Sequence, residues 1–188
     1  MSVIEMKPVR ERILDAAIEQ YYNEGIRAVS ADKLIAAAHV SKVTFYRHFP
    51  TKDDLVAAYL ESRSNHERDM VLAKREELDD SAAVLRWYAD LVGRASCSED
   101  FRGCPFINAA AELSAPDHPG RTIIREHRLW LTGQLIEMLG ELGVDRAATR
   151  AEQLIMLRDG AMVSGYLGDE PEEVSARLIE AGRTIIGR

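Results

Sequence analysis

The side chains with the clearest chemical potential lie between Ser30 and Phe49. The segment carries cationic and hydroxyl groups close together: Lys42, Thr44, Tyr46, Arg47 and His48. No acidic residue occurs from position 33 to 52, although the whole chain has a net charge of −7. Ammonium groups and hydroxyls suit phosphate oxygens, and a cation can also meet the acceptor edge of guanine. We therefore expect this segment to bind an anion, and above all the phosphate backbone of DNA.

The distribution of charge supports the same interpretation. Residues 1–63 contain nine basic and nine acidic residues, whereas residues 64–188 contain 15 basic and 22 acidic ones. An acidic body repels DNA, so the neutral part with its local basic stripe is left to make the approach.

Helices must position these side chains, because the surrounding apolar residues recur at helical spacing. Residues 9–24 follow this pattern, and Gly25 is a typical stop signal. Ser30 and Ser41 are suited to cap two further short helices, and Pro50 ends the second of them. The small residues 36–38 favour a compact turn between the two. The pattern predicts a three-helix head with a helix-turn-helix.

Nine positions of this head are predicted to contact DNA. Ser30 and Ala31 begin one helix and Lys52 begins another, where exposed N–H groups attract phosphate. On the recognition helix Phe45 faces inward, and the methyl groups of Val43 can meet a thymine methyl. The predicted set is Ser30, Ala31, Ser41, Lys42, Val43, Thr44, Tyr46, His48 and Lys52. The alternative is a basic but merely solvated face with Tyr46 buried.

The rest of the chain predicts helices and no strand, so we expect an all-α protein of about nine helices. No apolar run approaches the roughly 18 to 20 residues that a membrane span requires. The N-terminus lacks the features of a signal peptide, and the two cysteines are too few for a disulfide framework. We expect a cytoplasmic protein without a membrane partner.

Residues 10–60 closely resemble the N-terminal head of TetR-type (TetR/AcrR) transcriptional repressors. The matching residues are Arg12–Ala17 without position 15, Gly25, Ser30, the run from Ile35 to Phe49 without positions 39 and 43, Lys52 and Leu55. The resemblance implies a homodimer whose two heads bind successive major grooves of a palindromic operator. It also implies a DNA-binding domain at residues 1–52 and a helical effector-binding and dimerisation domain at 53–188.

One position departs from the family pattern, because His39 stands where the turn usually has glycine. Histidine tolerates a positive φ better than most residues do. We therefore predict that His39 is a strained turn residue and not a DNA contact.

The last two helices are predicted to form the dimer interface. One carries an apolar stripe that includes Val174, Leu178 and Ile185, and the other carries Leu154 and Met162. Stripes this wide exceed what packing on one side requires. The alternative is that both helices close a monomeric core.

Six residues are predicted to bind a small and largely apolar effector. Asn108 and Glu112 lie four residues apart on an apolar helix, and buried polar groups of this kind need partners. The predicted set is Trp87, Phe106, Asn108, Glu112, Trp130 and Met162. Ordinary core packing of the aromatic and methionine side chains is the alternative.

The sequence contains no firm metal motif, phosphate loop or nucleophile elbow, so we expect neither a cofactor nor catalysis. The predicted function is a DNA-binding repressor that a small molecule releases. One alternative is a regulator that responds to oxidation through Cys97 and Cys104. Another is a helical binding protein or enzyme with a vestigial head.

Overall fold

A computed structural model describes residues 7–96, 100–168 and 171–187 of the chain. These residues form nine α-helices and no strand, which confirms the predicted all-α class. The helices are α1 (Val9–Glu24), α2 (Ala31–Ala37), α3 (Lys42–His48), α4 (Lys52–Leu78), α5 (Ser81–Ala95), α6 (Pro105–Glu112), α7 (Pro119–Glu141), α8 (Ala147–Leu167) and α9 (Pro171–Ile186). None of them is both long enough and apolar enough to cross a membrane, as far as the described residues extend.

The chain divides into two compact units. The first contains the chain up to Ser64 together with Pro105–Arg125, and the second contains Asn65–Cys104 and the chain from Glu126 onward. This division differs from the single boundary predicted after residue 52. It differs because the first turns of α4 are buried with the head through Leu55 and Tyr59, and because α6 returns to the same unit.

The first unit is built on local caps and a small aromatic core. The hydroxyl of Ser30 accepts a hydrogen bond from the amide of Lys33, and that of Ser41 accepts one from Thr44. Both predicted caps are therefore confirmed. Below them Phe45 is buried in the core of the unit, where the rings of Tyr21 and Tyr59 also meet edge to face at 5.6 Å between centroids. This packing fixes the inward face of α3 and leaves its other face outward.

The core of the second unit is formed by α5, α7, α8 and α9. Its buried centre is an aliphatic cluster that includes Val84, Leu135, Leu139 and Ile155. Helix α9 packs on α5 and α8 of its own chain. As a result, Val174 and Leu178 of the stripe predicted for dimerisation are buried within the protomer.

The close approach of α5 and α9 generates a stability prediction. A methyl group on Gly93 would overlap the side chain of Ser175 and lie 2.8 Å from its Cα atom. We expect Gly93→Ala to lower the free energy of unfolding by about 2 kcal/mol, because overpacking forces the two helices apart. Chemical denaturation of the purified protein measures this change.

Gly133 provides the matched control, because nothing lies within 4 Å of an added methyl group there. Gly133→Ala should raise the free energy of unfolding by about 0.5–1 kcal/mol through helix propensity alone. Equal effects of the two substitutions would contradict the close packing of α5 against α9.

Candidate functional site

The turn between α2 and α3 sets the direction of the recognition helix. His39 has a φ of 52°, which places it in the left-handed region and confirms the positive φ expected at this position. That His39 makes no contact with DNA stays a prediction. The amides of His39 and Val40 donate to the carbonyls of Ala36 and Ile35, and Arg12 Nη1 donates to the carbonyl of His39 at 3.4 Å. The turn is thus closed by backbone hydrogen bonds on one side and by α1 on the other.

Helix α3 presents a mixed apolar and cationic face to solvent. Phe45 anchors the helix with 3% of its surface exposed, whereas Val43 is 80% exposed and Tyr46 is 41% exposed. The ammonium of Lys42 lies 3.7 Å from the carboxylate of Asp32, and both groups are largely exposed. Such a surface pair contributes little stability, so the Lys42 ammonium can exchange this partner for a phosphate.

Other predicted contact residues also hold the head together. Ser41 and Thr44 share a hydrogen bond between their hydroxyl oxygens at 2.9 Å. The ammonium of Lys52 donates to the carbonyl of Val29 at 2.8 Å and keeps further donors for another acceptor. Ala31 and His48 are half-buried at the ends of α2 and α3. These residues lie on the head as expected, and their contact with DNA remains a prediction.

Arg47 is exposed in the last turn of α3, although it is absent from the predicted contact set. Its positive charge within the segment that lacks acidic residues is the sequence feature that indicates a possible DNA contact. It therefore adds a further positive group beside Tyr46.

Glu112, at the end of α6, binds the turn between α1 and α2. Its carboxylate accepts hydrogen bonds from the amides of Ile26 at 3.1 Å and Arg27 at 2.7 Å. The two amides precede α2 and follow Gly25, whose φ of 91° shapes the turn. The sequence predicts Glu112 in an effector pocket, whereas both of its carboxylate oxygens bind amides of this turn in the head. Only tertiary contact brings residues so distant in sequence together.

The second unit contains a cavity of about 250 Å³ that is open to solvent on one side. Helices α5, α7, α8 and α9 line it, chiefly with aliphatic side chains such as Leu85, Leu135 and Leu178. Tyr88 and Arg158 contribute polar groups to the lining, and Arg86 and Arg183 add two further guanidinium groups. The cavity therefore combines apolar walls with a cationic charge, as a site for a small molecule does.

None of the six residues predicted to bind an effector lines this cavity. In the second unit, Trp87 lies beneath Lys74, Trp130 lies beneath Arg68, and Met162 is buried in the core. In the first unit, Phe106 is buried and Asn108 is half-buried on α6. The helical pattern identified buried or partly buried positions correctly but did not identify the residues around the cavity.

A buried polar cluster closes one part of the cavity wall. The hydroxyl of Tyr88 donates to Glu67 at 2.6 Å and accepts from Arg158 Nε at 3.0 Å. His127 Nε2 lies 3.2 Å from the same carboxylate, and Arg158 Nη2 lies 3.6 Å from it. Burial opposes ionisation of Glu67, but hydrogen bonding to His127 and the charge of Arg158 outweigh it and lower its pKa to about 2.

Cys104 lies beside this cluster, with its sulfur 3.6 Å from Arg158 Nη1. The thiol is buried. Cys97, the other half of the predicted redox pair, lies outside the described residues, so the pairing remains a prediction.

Comparison with known proteins gives consistent results. The sequence model for "Bacterial regulatory proteins, tetR family" matches residues 13–59. A TetR-family transcriptional regulator from Streptomyces coelicolor has a similar structure, with a TM-score of 0.88 and 36% identity over 95% of this chain and 94% of that one. The HTH-type transcriptional regulator LmrA of Bacillus subtilis is 25% identical over 83% of this chain and 82% of its own length. The uncharacterized regulator YvkB of the same organism is 37% identical over 38% of this chain, and the match spans only 37% of YvkB.

The Glu112 contact generates a prediction with a local readout. We expect Glu112→Ala to lower the free energy of unfolding by about 1–3 kcal/mol, because two amides lose a charged acceptor. Hydrogen exchange at the amides of Ile26 and Arg27, in the turn after α1, should accelerate more than exchange within α1. Glu112→Gln keeps one acceptor oxygen, so its free energy of unfolding should lie between those of the unsubstituted protein and Glu112→Ala.

Glu61→Ala is the matched control, since Glu61 is an exposed glutamate of the same unit. If Glu112→Ala and Glu61→Ala give the same exchange at Ile26 and Arg27, the carboxylate does not hold the turn.

Proposed function

The chain belongs to the TetR family of bacterial regulatory proteins, and we propose that it is a homodimeric repressor that a small molecule releases from a palindromic operator. It is a DNA-binding transcriptional regulator, as its relatives and its helix-turn-helix head indicate. The observation that carries the proposal is the outward face of α3, where Lys42, Val43 and Tyr46 are exposed in a segment without acidic residues.

The chemistry of this face suits the major groove. A helix inserted there brings its outward side chains to base edges and its flanks to phosphates. Val43 is 80% exposed and offers its methyl groups outward, and thymine methyls are apolar partners for them. Lys42, Arg47 and the remaining donors of Lys52 supply positive charge for the backbone.

The exposed face of α8 supports a dimer that differs in detail from the predicted one. Met156 is 70% exposed and Leu167 is 77% exposed, with Gly160 and the exposed Val163 between them at helical spacing. Nothing lies within 4 Å of a methyl group built on Gly160, so the backbone there is open to close approach. A second copy of α8 across a two-fold axis would bury this stripe and pair it with itself.

Release by an effector requires two states of the dimer with different affinities for DNA. In the DNA-bound state the two recognition helices must lie about 34 Å apart, one turn of duplex. We propose that a ligand in the cavity favours another spacing. Helix α4 runs without interruption from Lys52 to Leu78 and carries Glu67 of the buried cluster. A displacement of Glu67 on ligand binding would therefore displace the whole helix, including its first turn at Lys52.

The recognition face generates a DNA-binding prediction. We expect Lys42→Ala and Tyr46→Ala each to weaken operator binding about tenfold, because each removes a phosphate or base contact. The operator is first selected from genomic fragments of the source organism, and affinity is then measured by fluorescence anisotropy at several salt concentrations. Lys42→Ala should also reduce the salt slope by about one.

Lys74→Ala serves as the control, since this lysine lies in the second unit. An affinity that does not depend on salt, or equal affinities for Lys42→Ala and Lys74→Ala, would contradict the proposed contact surface.

The proposed interface generates a prediction about assembly. Val163→Glu should convert the dimer to a monomer, because it places two like charges together on a desolvated surface. Size-exclusion chromatography with light scattering measures the mass, and circular dichroism checks that the helices are retained.

Ala176→Glu places the same charge on the exposed face of α9. It should leave the dimer intact. A monomer for Ala176→Glu together with a dimer for Val163→Glu would move the interface from α8 to α9.

A further inference from the structure

We propose that the cavity of the second unit binds an apolar monocarboxylate whose chain lies inside and whose carboxylate is held at the mouth by Arg86 and Arg183. This inference rests on the proposed effector role of the cavity and names the chemical class of the ligand.

The charge of the cavity lining opposes that of the whole chain. The chain contains 31 acidic and 24 basic residues, yet three arginines and no acidic residue line the cavity. A lining of this sign raises the local concentration of anions and disfavours cations.

The two arginines at the mouth are the ones available to a ligand. Arg86 on α5 and Arg183 on α9 are exposed, whereas every other lining residue is buried or half-buried. The opening therefore lies where these two side chains meet solvent. Across the described ranges, neither guanidinium takes part in an ion pair, so each keeps its donors for a ligand. A guanidinium presents parallel N–H groups that match the two oxygens of a carboxylate.

The inner polar groups of the lining are already occupied. Arg158 contacts Glu67, Tyr88, Cys104 and Asp159, and the Tyr88 hydroxyl both donates and accepts within that cluster. A polar head group placed at this inner end would have to displace a buried carboxylate from its arginine, which is costly. The head group of a ligand is therefore directed to the mouth and its apolar part to the interior.

The volume and walls of the cavity set the size and character of that apolar part. A dry cavity of about 150 Å³ admits benzene, so one of about 250 Å³ suits a ligand of about ten non-hydrogen atoms. The walls are side chains such as Val92, Leu154, Ile155 and Ile186. A saturated chain or a single ring bearing one carboxylate fits these limits.

The test compares three ligands of nearly equal size on the purified full-length protein by isothermal titration calorimetry. Octanoate carries the carboxylate, octanamide is its neutral counterpart, and octylammonium carries the opposite charge. We expect octanoate to bind at least tenfold more tightly than octanamide and octylammonium not to bind detectably. Equal affinities for octanoate and octanamide, a preference for octylammonium, or no binding of any of the three would overturn the proposal.

Variants of the mouth separate its contribution from that of the walls. Arg86→Gln with Arg183→Gln should reduce the affinity for octanoate to that for octanamide and leave octanamide unchanged. Arg94 lies on the same helix as Arg86 but outside the lining, so Arg94→Gln should leave the affinities for octanoate and octanamide unchanged. Gly182→Val adds bulk at a lining position and should weaken octanoate and octanamide alike. An unchanged octanoate affinity in the double variant would assign the carboxylate elsewhere.

A second readout distinguishes this inference from the proposed function. Because the binding experiment contains no DNA, it decides the ligand class whether or not the protein represses. Adding octanoate to the operator complex then tests release. Tight octanoate binding without any loss of operator affinity would uphold the ligand class and contradict the effector role.

Discussion

Arg158 brings a positive charge into the interior of the second unit, where it is 8% exposed. A buried charge is stable only with partners that replace water, and removing one partner of such a pair typically costs about 3–5 kcal/mol. Glu67, Tyr88 and Cys104 supply these partners from three separate parts of the chain. Because all of them must stay close to one guanidinium, the cluster fixes α4, α5 and α8 around one end of the cavity.

The two ends of the cavity differ in the polar groups that they can offer to a ligand. The polar groups that bind Arg158 are unavailable to a ligand. The guanidinium groups of Arg86 and Arg183 at the mouth are therefore the ones that can donate hydrogen bonds to it. The apolar walls between the two ends give affinity with little directionality. In the proposed regulator, a ligand is selected by its charged head group and by the volume of its apolar part.

In the first unit, Glu112 has a comparable role. One carboxylate satisfies two amides of the turn that precedes α2, and so α6 belongs to the head in packing although it lies some eighty residues further along the chain. The division into units therefore differs from the predicted boundary after residue 52, since the first turns of α4 and the whole of α6 belong to the unit that contains the head.

The sequence by itself determined the features that depend on near neighbours along the chain. Helical spacing, the caps at Ser30 and Ser41 and the positive φ of His39 follow from interactions within a few residues. Tertiary structure alone decided the partners of Glu112, the lining of the cavity and the burial of the α9 stripe. The reason is that helical periodicity identifies which side chains share a face, whereas the group opposite that face is set by how distant helices pack.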